Sequence, residues 1–93
     1  MEAHKTELLE VFKLATKDAK LFDSFLKDIL TPAEYREMAT RWQIVKQLAM
    51  GKGQREIARD LKIGISTVTR GSRTLENPNG GFNQLLTKFV TRR

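Results

Sequence analysis

The chain of 93 residues carries a formal net charge of +6, no cysteine and a single histidine, His4. Without thiols it forms no disulfide, thiolate-zinc or iron-sulfur centre, and one histidine near a terminus makes a poor metal site or catalytic dyad. No apolar run approaches the roughly 18 residues of a membrane span, and the start "MEAHKTELLE" is too charged for a signal peptide, so a soluble, cytoplasmic protein without a membrane partner is expected.

Strand-like alternation and internal repeats are absent, and the sequence reads as one all-α domain over residues 1–93 with six helices. Leu8, Leu9, Phe12 and Ala15 recur at helical spacing over about residues 3–17, after which "TKDAK" allows a turn. Leu21, Phe22, Phe25, Leu26, Ile29 and Leu30 mark a second helix over 21–30. "TPAE" at 31–34 is the strongest start signal: Thr31 as N-cap, Pro32 at the first helical position and Glu34 closing a capping box. The third helix then runs to about residue 50, where "GKG" ends it, with Tyr35, Met38, Trp42, Val45 and Ala49 on its apolar face. Trp42 falls on that stripe and is expected to pack in the core. Two short helices follow, "QREIARDL" at 54–61 and about 65–75, and "NPNGG" at 77–81 makes a loop. Phe82, Leu85, Leu86, Phe89 and Val90 define a last amphipathic helix over 82–91, with a basic tail. A chain this small has a marginal core, and the apolar faces of the first, second and last helices want more partners than it offers. A homodimer follows.

The charge is unevenly placed: residues 1–40 hold six Lys/Arg against eight Asp/Glu, whereas residues 41–93 hold eleven against three. A basic half suggests a polyanion-binding face, nucleic acid first among the candidates; a merely solvated surface is the plain alternative. Its setting favours the former. Ile57, Leu61, Ile63 and Val68 lie at buried spacings, Ala58 is small where two helices would cross, and Gly64 would help the reversal between them, which together make a helix-turn-helix over about 54–75. Ser66, Thr67, Thr69, Arg70 and Arg73 are then exposed on the second helix and free to reach a major groove, while Arg55, Arg59 and Lys62 add cations to the same unit. Double-stranded DNA is the expected partner. No internal histidine, cysteine or evident carboxylate pair supports an enzyme.

"LTPAEYREMATRWQIVKQL" and "GQREIARDLKIGISTVTRGSRTL" together resemble the bacterial tryptophan repressor family over about residues 28–76, and the helix order agrees across the remainder. The resemblance implies a six-helix, intertwined homodimer that binds operator DNA when L-tryptophan occupies two sites at the subunit interface as corepressor, with no other cofactor. It implies that Arg41 and Arg70 sandwich the indole, a chemically sensible cation-π arrangement. Thr31 matches the family's carboxylate-binding threonine, and the carbonyls of Asp28 and Leu30 would receive the ammonium group from the other subunit. A hydroxyl can serve both as cap and as ligand donor. Gly71 would let the corepressor lie against the reading helix, which explains a residue that costs about 1 kcal/mol relative to alanine in mid-helix. Thr74 stands beside the ligand where the family commonly has serine. With Gln54 and Ile65 added, the expected DNA-binding set is Gln54, Arg55, Arg59, Lys62, Ile65, Ser66, Thr67, Thr69 and Arg73.

The sequence also departs from the family. "GKGQRE" is one residue shorter than the usual connection and lacks a Ser/Thr cap before Gln54; Lys62 replaces the glycine that often follows the buried leucine; Ala58 and Glu76 replace frequent lysines. A constitutive regulator, or one using another ligand, is the alternative reading.

Overall fold

The computed structural model describes residues 2–91, with the backbone alone at Thr91. The expected basic tail, Arg92 and Arg93, lies outside the described residues. Six helices follow one another with no strand among the described residues: α1 (Glu2–Ala15), α2 (Ala19–Ile29), α3 (Pro32–Ala49), α4 (Gln54–Leu61), α5 (Ile65–Thr74) and α6 (Gly81–Thr91). The chain divides into two compact units, one reaching to Glu37 and one starting at Met38, so the boundary falls inside α3.

In the first unit, α2 begins two residues earlier than its apolar pattern suggests, because Asp18 caps it. The Asp18 carboxylate accepts from the N–H groups of Lys20 and Leu21 at 3.0 and 3.4 Å, satisfying donors that a helix start otherwise leaves unpaired. Phe12 of α1 meets Phe22 and Phe25 of α2 edge to face, with centroids 5.8 and 5.4 Å apart. Ala15 and Leu26 are buried, whereas Leu8, Leu9, Leu14, Leu21 and Ile29 stay exposed. The start of α3 is the capping box read from "TPAE": the Glu34 N–H donates to Thr31 Oγ1 at 3.1 Å and the Thr31 N–H to Glu34 Oε1 at 2.8 Å. One turn on, the Tyr35 hydroxyl donates to Asp23 Oδ1 at 2.8 Å, tying α3 to α2. Lys27 closes on the other oxygen of Asp23 at 2.9 Å.

In the second unit, α3 ends in a Schellman motif. Gly51 takes a positive φ of 90°, its N–H donates to Leu48 O, and the Lys52 N–H donates to Gln47 O. The centre of this unit is Ile44, Ile57 and Val68, with Leu48, Ala58, Leu61 and Ile63 packed against it. Ile44 does not belong to the predicted stripe of α3. That stripe supposes one apolar face, but α3 packs in two directions. Its Ile44 side meets α4 and α5, while Trp42 lies against Phe82 and Phe89 of α6, at centroid distances of 6.4 and 5.4 Å. Met38 and Ala49, expected on the apolar face, are exposed. Asn83 anchors α6 to the loop before it by donating to Leu75 O and Asn77 O at 3.0 and 2.8 Å. Leu86 is buried, and Leu85 and Val90 face solvent.

Candidate functional site

The α4–α5 unit is built around two side chains with no exposed surface, Ile57 and Val68. Their burial fixes which side of α5 is covered. Ser66, Thr67, Arg70 and Arg73 are exposed, as are Arg55, Arg59 and Lys62 on the same unit, and Ile65 projects into solvent at the start of α5.

The turn between the helices corrects the sequence reading. Gly64 sits at φ −71°, ψ 148°, ordinary extended backbone that needs no glycine. The reversal is made by Lys62, which adopts φ 58°, ψ 48°. Its N–H donates to Arg59 O and the Ile63 N–H to Ala58 O, closing α4 in the manner glycine usually allows. A lysine in this left-handed conformation costs roughly 1–2 kcal/mol.

Thr69 also differs from expectation. Its hydroxyl is shared between Gln54 Oε1 at 2.9 Å and Ile65 O at 3.0 Å, so the side chain is engaged within the α4–α5 pair. Two residues expected on the DNA face are thereby brought together, whereas the Thr67 side chain is exposed.

Gly53 precedes α4 without a side-chain cap. In place of a cap, Lys52 reaches across the connection: its Nζ lies 2.6 Å from Asp60 Oδ2 and 3.3 Å from Gln47 Oε1. Lys52, with lesser contributions from Arg59, holds the Asp60 carboxyl below its ordinary carboxylate value. Neither Lys52 nor Asp60 was singled out by sequence pattern; the only local cue is a lysine set between two glycines.

The residues that the resemblance assigns to the corepressor divide between the units. Asp28, Leu30 and Thr31 belong to the first, at the end of α2 and the cap of α3. Thr31 Oγ1 accepts from the Glu34 N–H, which leaves its proton for another acceptor. Arg41, Arg70, Gly71 and Thr74 belong to the second unit. Arg41 precedes Ile44 by one helical turn, and Arg70 precedes Gly71, so the crossing of α3 and α5 brings these two segments to one place. Thr74 donates to Gly71 O at 2.6 Å.

Gly71 has a local cause that the resemblance does not supply. A Cβ built there falls 2.7 Å from Ile44 Cγ2 and 3.6 Å from Ile44 Cβ. Its φ is not positive, so the absent side chain, rather than unusual backbone, is what the site requires. The space that an alanine methyl would take is filled by the core.

A small all-α chain thus packs α5 onto a short partner helix and leaves hydroxyl and arginine side chains to solvent, and the family match places it in the transcription-regulator class. The comparisons give the family. The profile described as Trp repressor protein matches residues 4–90, and the chain belongs to that family. It is 36% identical over 74 residues to a protein of Vibrio vulnificus (strain YJ016) named Trp operon repressor homolog, covering 74% of this chain and 72% of the relative. A protein of Mannheimia succiniciproducens with the same name is 37% identical over 86 residues, 91% of this chain and 84% of its own. One from Chlamydia trachomatis serovar L2 is 34% identical over 73 residues, 73% and 78% of the two chains. No solved structure matches at a significant level. The family is a regulatory one, and these relatives are named as repressor homologs.

Proposed function

We propose that the protein is a corepressor-gated transcriptional repressor: a homodimer that sets its two α5 helices into successive major grooves, about 34 Å apart, of a pseudo-palindromic operator. The observation that carries this reading is the wholly buried Val68–Ile57 packing, which leaves Ser66, Thr67, Arg70 and Arg73 exposed together on one short helix. The exposed apolar side chains of α1, α2 and α6 support the dimer, because a second chain would remove them from water. L-tryptophan is the corepressor of this reading, held by Arg41 and Arg70 on its two faces and by Thr31 at its carboxylate. By favouring one orientation of α5 it would shift the population toward the form that matches the operator.

A second reading is a constitutive regulator of the same superfamily, and one observation favours it: Ile44 accounts for Gly71 without any ligand. Selection of duplexes from a random library, run with and without L-tryptophan, separates the two. Enrichment only with tryptophan supports the gated repressor; equal enrichment supports the constitutive one; no enrichment refutes both.

A further inference from the structure

The geometry of the connection between α3 and α4 assigns a role to a cation that would otherwise be counted toward the basic face. α4 begins at Gly53 without a side-chain cap, and its N-terminal end is held by the Thr69–Gln54 hydrogen bond and by Ile57 against Ile44. Lys52 adds a hold from the side. Its backbone is fixed by the Schellman motif, its N–H bonding Gln47 O behind the positive-φ Gly51. Its ammonium then reaches Gln47 Oε1 in α3 and Asp60 Oδ2 in α4. The Lys52 and Asp60 side chains are only 30% and 41% exposed, and Asp60 spends its second oxygen on Arg59 Nε at 3.6 Å. Two of the three ammonium donors are thus committed inside the second unit.

Resting on the DNA-binding reading above, we propose that Lys52 is a positioning residue for operator recognition: bridged between Gln47 and Asp60, it fixes the angle of the α4–α5 unit on α3 and contacts no phosphate. Sequence-specific binding depends on that angle, because α5 must enter the groove in register. Binding to arbitrary duplex depends chiefly on the number of phosphates neutralised. Loss of the bridge therefore lowers specific affinity and leaves the dependence on salt unchanged.

The two partners differ in sign, which supplies a sharp test. Lys52→Met removes a positive charge and Asp60→Asn a negative one, so a role in phosphate attraction would move affinity in opposite directions. A positioning role moves it in the same direction. Full-length wild type, Lys52→Met, Asp60→Asn, the double variant and Lys52→Arg would be titrated against the duplex selected by wild type and against random duplex across a salt series. Amide hydrogen exchange of α4 would be followed without DNA. The expected result is that both single variants lose about threefold to fivefold in affinity for the selected duplex, the range open to a partly exposed ion pair, with faster exchange in α4. The double variant is no worse than either single one, Lys52→Arg retains wild-type behaviour, and the salt slope stays constant. Opposite shifts for the two single variants overturn the proposal, as does a slope reduced by about 0.9 in Lys52→Met. Unchanged exchange together with an unchanged ratio of selected to random affinity does so too. Failure of the wild type to prefer any duplex is a different outcome: it refutes the DNA-binding reading and the positioning role with it.

Discussion

Gly71 of α5 and Ile44 of α3 meet so closely that a single added methyl has no room: the Cβ of any other residue at 71 would stand 2.7 Å from Ile44 Cγ2. Ile44 cannot readily yield. It is 1% exposed, and its β-branched side chain is stiff about χ1.

Gly71→Ala is therefore expected to destabilise the protein by about 1–3 kcal/mol in the absence of any ligand, the usual cost of overpacking a core. The gain in helix propensity, up to about 1 kcal/mol, opposes this but does not exceed it. Ile44→Ala alone should cost about 2–5 kcal/mol through the cavity it leaves. In the double variant the new methyl enters the space vacated, so the combined loss should be less than the sum. Chemical denaturation of the four proteins measures the coupling, and strict additivity would show that the two side chains do not compete for one space.

Lys62 gives a second contrast between stability and binding. Because it holds the left-handed position that ends α4, Lys62→Gly should stabilise the fold by about 0.5–1 kcal/mol, the steric relief being partly offset by the greater entropy of an unfolded glycine. The same change removes an exposed cation beside the reading helix. Operator affinity should fall, and the salt slope should shrink by about 0.9 if that cation meets a phosphate. Thermal melts and salt titrations on one variant would show stability and affinity moving in opposite directions.

Thr67 and Thr69 look equivalent in "STVTRGS" but are not. Thr69→Val removes a hydroxyl engaged with Gln54 and Ile65 O, so it should lower stability by about 1 kcal/mol, the scale of one lost hydrogen bond. Thr69→Ser should be tolerated. Thr67→Ala removes an exposed hydroxyl and should leave stability nearly unchanged while altering which duplex is preferred. Selection repeated with Thr67→Ala and Thr69→Ser checks this, and a changed preference for Thr69→Ser would place Thr69 back on the reading face.

What the sequence made legible was local. Periodicity located all six helices to within about two residues, and "TPAE" specified both bonds of the Thr31–Glu34 box because each partner lies within one turn of the other. The centre of the α4–α5 unit was also readable, since Ile57, Ile63 and Val68 follow from the spacing of two short helices. Ile44 was missed because a stripe on one face cannot reveal a helix packed on two sides. Lys62 stands where the turn often carries glycine, but its left-handed conformation is not legible, because glycine is the usual signal for it and sequence pattern assigns the reversal to Gly64 two positions on. The Lys52–Asp60 bridge joins residues eight apart across a turn, where no periodic pattern applies.

Tyr35 offers a spectroscopic check on the first unit, since it is the one tyrosine in the chain. Its hydrogen bond to Asp23, assisted by burial, raises the phenol above its ordinary value, while Lys27 and then Tyr35 hold the Asp23 carboxyl below its own. A group whose folded pKa is raised adds stability that is fully present below the unfolded pKa, about 10 for tyrosine, and lost as pH rises through the folded value. The carboxylate behaves in the opposite sense: its contribution is present above the unfolded carboxyl pKa and fades as pH falls through the depressed one. Ultraviolet titration should place phenolate formation above that of a free tyrosine, and Asp23→Asn should bring it down. An identical titration in both proteins would show that the bond is not formed in solution.

Thr31 separates a structural role from a ligand role at one hydroxyl. Its Oγ1 accepts from the Glu34 N–H, and its own proton is left over. If the hydroxyl serves only as a cap, Thr31→Ala costs about 1 kcal/mol of stability, and Thr31→Asp, a good capping residue, restores it with ligand binding unaffected throughout. If the hydroxyl also donates to the carboxylate of L-tryptophan, Thr31→Asp should restore stability but not affinity, because an ionised aspartate has no proton to give and repels the ligand carboxylate. Thr31→Ser should keep both. Arg41→Ala should lower tryptophan affinity without touching the cap, and none of these changes should abolish weak, ligand-independent DNA binding. Thermal melts paired with calorimetry on the three Thr31 variants resolve the two roles, and a Thr31→Asp protein that binds L-tryptophan as tightly as wild type would remove Thr31 from the corepressor site.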